Sequence, residues 1–202
     1  KYHKERGLTF TTDDVFESIM GYSHWRGNAP LVRAFLEKSA ETLEWLEGLG
    51  VPFAPIPDGY LRNTKTPTGI PLRGTGADLI KILVQRAQEL GVEIRMNTPA
   101  LSLLTKGDRV VGARLLIDGM ETDVTAKAVV LATGGFGNSP EMVREHLGLE
   151  LGRNIYTLYH TDVNGEGIKM AWDVGADSDG MGAQCIFALP EPGTHSCQAP
   201  NL

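Results

Sequence analysis

The stretch AVVLATGGFGNSPEM, residues 128–142, decides how the chain is read. AVVLA (128–132) is apolar with almost no alternation, the pattern of a strand buried on both faces in a central parallel sheet. In a doubly wound sheet, ligands sit at the carboxyl ends of the strands, where loops lead into helices. ATGGFG holds that place. Gly134 and Gly135 lack Cβ atoms, so the backbone there can approach a flat or phosphorylated ligand closely. Asn138 or Ser139 then caps a helix with Pro140 at its first position and Glu141 in its first turn. Such a helix start offers unpaired N–H groups and the positive end of a dipole. The loop is competent for a cofactor, although strand-to-helix turns with two glycines also occur with no ligand.

Working outward, the segment before this strand changes period. Thr75 caps a helix whose Leu79, Ile80, Leu83, Val84, Ala87 and Leu90 form an apolar stripe, with Gly91 as the stop. Val92, Ile94 and Met96 then alternate with polar residues as a strand, a second strand covers roughly 100–105, and RVVGARLLI (109–117) turns at Asp118-Gly119 to return through METDVTA. Nearer the start, Thr12-Asp13-Asp14 caps a short helix with Val15, Phe16, Ile19 and Met20 on its apolar face. A longer helix begins at Pro30, with Leu31, Phe35, Leu43, Leu46 and Leu49 at helical spacing and Gly48 and Gly50 at its end. Residues 51–76, rich in proline and glycine, form either a functional loop or a join between domains.

Composition limits the function classes. The chain has 202 residues with 42% hydrophobic and 22% charged content, enough for one large or two small soluble domains. Nineteen Lys plus Arg against 25 Asp plus Glu leave a net charge of −6, which argues against nucleic acid and against anionic membrane surfaces as partners. No apolar run approaches the ~20 residues of a membrane span. Cys185 and Cys197 have no histidine at ligand spacing, so they read as ordinary thiols, and no metal site is expected. The chain opens on Lys1 and closes on Leu202 in the manner of a piece of something longer, which leaves its compartment open, with a soluble cytoplasmic setting favoured.

A second glycine constellation lies at YHTDVNGEGIKMAWDVGAD, 159–177. Gly165-Glu166-Gly167 opens a helix with Ile168, Ala171 and Val174 on its apolar side and Gly175 at its end. Glu166 either hydrogen-bonds a polyol or ribityl hydroxyl or simply favours the helix dipole. His160, Trp25, Trp45 and Trp172 read as structural residues, and Arg62, Lys65 and Arg73 as a solvated rim. No Ser-His-Asp set, carboxylate pair or P-loop is present in the pattern.

NAPLVRAFLEKSAETLEWLEGLGVPF, RGTGADLIKILVQRAQELGVEIRMNTPALSLL, GDRVVGARL, VVLATGGFGNSPEM and NGEGIKMAWDVGAD together resemble the FAD-dependent oxidoreductases of the fumarate reductase and 3-oxosteroid dehydrogenase type. Their order matches the family over nearly all of residues 10–177. The resemblance implies an α/β fold, α+β within this fragment: part of a Rossmann-like FAD-binding domain with a β-meander, and part of a capping domain. It implies a helical segment and loop of the FAD domain at 1–74, the helix, meander and ATGGFG unit at 75–147, and the start of the substrate-capping domain at 148–202. Carried over residue by residue, Ala100 reaches the adenine through its backbone, Ala132, Thr133, Gly134 and Gly135 line the flavin side, and Gly165 and Glu166 contact FAD. Glu166 stands where many relatives have Asp.

The departures from the family matter equally. Its opening strand and G-x-G-x-x-G motif are absent from the chain, as are its flavin-binding return and catalytic arginine, so no catalytic residue is assigned and the chain alone is expected to hold FAD poorly. Fumarate reductases of this type carry Gln-x-His-Pro after the second glycine helix. Here GMGAQCIFALPEPG has Gln184 with no histidine following, and His195 comes too late, which favours an enoate, enone or steroid-like substrate over a dicarboxylate. The resemblance thus implies reduction or formation of an activated C=C bond with hydride transfer at flavin N5, from an electron donor the sequence does not name. The contrasting reading is a non-catalytic α+β capping or interaction module without cofactor.

Overall fold

The computed structural model describes residues 2–56, 69–155 and 163–182. The chain divides into two compact units, one built on Lys1–Ile94 and one on Arg95–Gln184.

The first unit is helical. Short α1 (Tyr2–Glu5) precedes α2 (Thr12–Tyr22), α3 (Ala29–Gly48) and α4 (Gly76–Glu89). The cap of α2 is Thr11, one residue earlier than the sequence suggests. Thr11 and Asp14 close a reciprocal box: the Thr11 N–H donates to Asp14 Oδ2 at 2.6 Å and the Asp14 N–H to Thr11 Oγ1 at 3.1 Å. Thr75 and Asp78 repeat the device on α4. Asn28 caps α3, with Pro30 in its first turn, where a missing N–H costs nothing. Val15, Phe16 and Met20 of α2 join Tyr2, Val51 and Ile56 in the core, and the Arg33 guanidinium of α3 lies 3.8 Å from the centre of the Phe16 ring. By contrast, the apolar stripes of α3 and α4 are only partly covered: Leu31, Phe35 and Ile80 are exposed, while Leu43, Leu46 and Leu83 are half-buried.

The two boxed carboxylates titrate with the fold. The backbone N–H of Thr11 and then its hydroxyl hold Asp14 below its ordinary value, and Thr75 does the same for Asp78. A carboxyl whose pKa is lower folded than unfolded stabilises the fold above its unfolded value and loses that contribution as pH falls through the folded one. Both helix starts therefore weaken as pH drops below 3.8. Melts followed by circular dichroism at about pH 7 and about pH 3 will show this, with the difference reduced in Asp78→Asn, which keeps an acceptor and loses the titration.

The second unit is a three-stranded antiparallel meander, β1 (Ala100–Lys106), β2 (Arg109–Ile117) and β3 (Met120–Thr125), in the order β1-β2-β3. Two short helices follow, α5 (Pro140–Leu147) and α6 (Glu166–Asp173). Ile117 pairs with Met120 across Asp118-Gly119, both residues of the turn having positive φ (50° and 79°), as a type I′ hairpin requires. Arg114 and Asp123 face each other in this register and make a bidentate pair, Nε to Oδ1 at 2.6 Å and Nη2 to Oδ2 at 3.0 Å.

Two segments expected to be strands form none. Residues 92–96 and 128–132 carry no ladder, and Val130 is 87% exposed. The reading of AVVLA as a strand buried on both faces is therefore corrected. A two-faced apolar strand needs a neighbour on each side and a layer above and below, and among the described residues the three strands pair only with one another.

Candidate functional site

The two glycine loops, far apart in sequence, meet. The Asn138 N–H donates to the Val163 carbonyl at 3.0 Å. Gly134 has φ +75°, and a Cβ on it would sit 3.0 Å from Val163 Cγ1. A Cβ on Gly165 would overlap Met142 Sδ and stand 3.0 Å from Phe136 Cβ, and one on Gly167 would overlap the Thr133 hydroxyl. The glycines at Gly165 and Gly167 thus let α6 begin directly against the first loop. Beneath the junction, Met142, Val143 and Met170 are buried. The opposite-charge pair Lys169 and Glu141, at 3.3 Å, joins the first turn of α5 to α6 at the surface.

Ser139, not Asn138, is the cap of α5. Its Oγ accepts from the Met142 N–H at 3.3 Å, and Gly148 in the left-handed region ends the helix. At α6 the cap position belongs to Gly165, with φ +82° and no side-chain cap hydrogen bond. Glu166 is exposed, and the Asn164 side-chain amide donates to its Oε1 at 3.3 Å.

Of the residues singled out in the sequence, Thr133, Gly134 and Gly165 lie in this junction and Glu166 beside it. Gly135 and Ala132 are exposed, and nothing stands within 4 Å of where a Gly135 Cβ would be, which leaves its backbone open to a flat ligand. Ala100 opens β1, where the Pro99 carbonyl accepts from the Leu116 N–H at 2.8 Å, and β1 is the strand on which α6 packs. A turn with no Cβ at Gly134 and Gly135, a helix start without a side-chain cap and an exposed carboxylate at Glu166 are features that a dinucleotide cofactor with a planar ring can use. The residues present fit FAD.

Sequence reasoning missed the packing partners that join the loops: Phe136, Met142, Val163 and His146. Phe136, the one bulky residue after the paired glycines, was the available signal. The ring of His146 stands edge-on to Phe136 at 5.6 Å and leans on Trp172 at 5.7 Å, consistent with the reading of Trp172 as a packing residue. His160, Gln184, Cys185, His195 and Cys197 lie outside the described residues, as do Arg62 and Lys65. A separate open cavity of about 440 Å³ by Lys106, Val111, Thr125, Ala126 and Lys127 shares no residue with the loops. Among the described residues no cluster of His, Cys, Asp or Glu could hold a metal, and no helix is long and apolar enough to cross a membrane.

A helix-and-meander unit that ends in two apposed glycine turns defines a nucleotide-cofactor domain of the flavoprotein type. The chain belongs to the FAD binding domain family, whose model matches residues 2–191. It is similar to a vinyl phenol reductase of Lactiplantibacillus plantarum, 28% identical over 91% of this chain and 37% of that protein. It is also similar to an NADH:fumarate oxidoreductase of Klebsiella pneumoniae, 28% identical over 96% of this chain and 21% of that protein. Among solved structures, the open conformation of a flavocytochrome c3 fumarate reductase matches with a TM-score of 0.74 at 25% identity, over 87% of this chain and 31% of that one. A 3-ketosteroid-delta4-(5alpha)-dehydrogenase from Rhodococcus jostii RHA1 matches with a TM-score of 0.67 at 25% identity, over 85% and 42%. The chain therefore spans well under half the length of each of these relatives.

Proposed function

We propose that residues 1–202 are part of an FAD-dependent oxidoreductase that reduces or forms an activated carbon–carbon double bond in an enoate, enone or steroid-like substrate. The observation that carries the reading is the apposition of ATGGFG with NGEG, two sequence-distant turns whose glycines are needed for each to approach the other. The names of the relatives support the reaction class, since vinyl phenol and fumarate reductases and a 3-ketosteroid dehydrogenase all act on such bonds.

In this reading the backbone of Ala132, Thr133, Gly134 and Gly135 forms a wall for the flavin, Gly165 and the first amides of α6 receive an acceptor of the cofactor, Glu166 takes a hydroxyl, and the Ala100 backbone meets the adenine. FAD, when bound, supplies hydride transfer at its N5. The residues of the chain hold and orient it, while the group that handles the substrate proton belongs to sequence outside residues 1–202. That sequence also supplies the strand neighbours of 128–132 and the cover for the apolar faces of α3 and α4. In domain terms, 1–74 and 75–147 belong to the FAD domain and 148–202 begins the cap.

The test is reconstitution. The polypeptide encoded by the whole reading frame is expected to purify yellow or to take up one FAD, read from flavin absorbance, and residues 1–202 alone to bind FAD weakly or not at all. A colourless whole protein that takes up no FAD overturns the proposal.

A further inference from the structure

We propose that His146 is a positioning residue for the flavin loop: held between Phe136 and Trp172, its ring seats the one aromatic anchor that orients the Gly134–Gly135 backbone. The inference rests on the FAD reading of that loop and asks what fixes it.

Gly134 and Gly135 form a soft pair. The first takes a left-handed conformation, and nothing stands near the Cβ position of the second. Side chains next grip the loop at Phe136, which is half-buried. Its Cβ stands against Gly165, its carbonyl accepts from the Ser139 N–H at 2.9 Å, and its ring meets His146 edge-on, with planes at 60°. His146 also meets Trp172 of α6, the helix that starts at Gly165, with ring centres 5.7 Å apart. One ring in the last turn of α5 thus braces both the first loop and the helix that follows the second.

The imidazole serves here as a ring. Its Nε2 is buried with no hydrogen-bond partner among the described residues. A polar atom desolvated without a partner is unfavourable in itself, and replacing it by an apolar group of the same shape is close to neutral or stabilising. What His146 contributes is the pair of aromatic contacts, and phenylalanine should supply them equally well.

The experiment compares His146→Ala and His146→Phe in the polypeptide encoded by the whole reading frame, with two readouts: the FAD dissociation constant from flavin fluorescence, and amide hydrogen exchange at residues 133–138. His146→Ala is expected to weaken FAD binding about tenfold and to speed exchange in that segment by a similar factor, from the loss of two ring contacts. His146→Phe should keep both at the unsubstituted level. If His146→Ala fails to fold by circular dichroism, Phe136→Leu cuts the same stack from the loop side and is expected to show the same two changes. Unchanged affinity and exchange in His146→Ala, or equal losses in His146→Phe, overturn the role of His146 while leaving the FAD reading intact. A protein that takes up no FAD but whose loop exchange still responds to His146→Ala and not to His146→Phe overturns the FAD reading and leaves the anchor standing.

Discussion

Gly165→Ala is expected to lose about 2–5 kcal/mol of stability. Two costs combine. At φ +82° an L side chain is strained by about 1–2 kcal/mol. The added Cβ also overlaps Met142 Sδ and crowds Phe136 Cβ, so the buried side chains must shift, an overpacking that costs about 1–3 kcal/mol. Because a domain's whole stability is about 5–15 kcal/mol, urea titration followed by tryptophan fluorescence should show a clearly lower midpoint. An unchanged midpoint would mean that the two loops do not meet as described.

Met142→Ala is the second. The side chain is 1% exposed beneath the junction, and its backbone N–H is held by the Ser139 cap. Removing it deletes buried apolar atoms and leaves a void, at about 2–5 kcal/mol. The double variant separates the two mechanisms. With Met142 shortened, the methyl of Gly165→Ala enters the space vacated by the sulfur, so the combined loss should fall at least about 1 kcal/mol below the sum of the single losses. Strict additivity in the same titration would show that the methyl and the sulfur never compete for one space.

Local features were legible in the sequence because each is decided within a few residues. The Thr75 cap, the β2 span, the Asp118-Gly119 turn and Pro140 at the start of α5 need only a side chain, a period of two, or a φ preference. The contact between the glycine loops was not legible from spacing. Nothing in ATGGF announces that Val163 and Gly165 will lie against it, because that pairing is set by tertiary packing such as that of α6 on β1, and only the resemblance placed both loops on one cofactor. AVVLA misled for a related reason. Its two-faced apolarity describes an environment with strands on either side, and residues 128–132 have no ladder partner among the described residues. In the same way the stripes of α3 and α4 report a covering layer as well as a helix.

That bare segment has a consequence for the chain as a substance. Val129 and Val130 are β-branched, the run Val129-Val130-Leu131 is uncharged and free of proline, and among the described residues it has no strand paired with it. Such a run is a template on which a like run from another molecule can stack edge to edge. Lys127 stands at its entrance as a gatekeeper charge, and Gly134-Gly135 closes it with residues that disfavour stacked sheets. In an isolated 202-residue chain, this run, with Val130 87% exposed, is a self-adhesive piece of the surface.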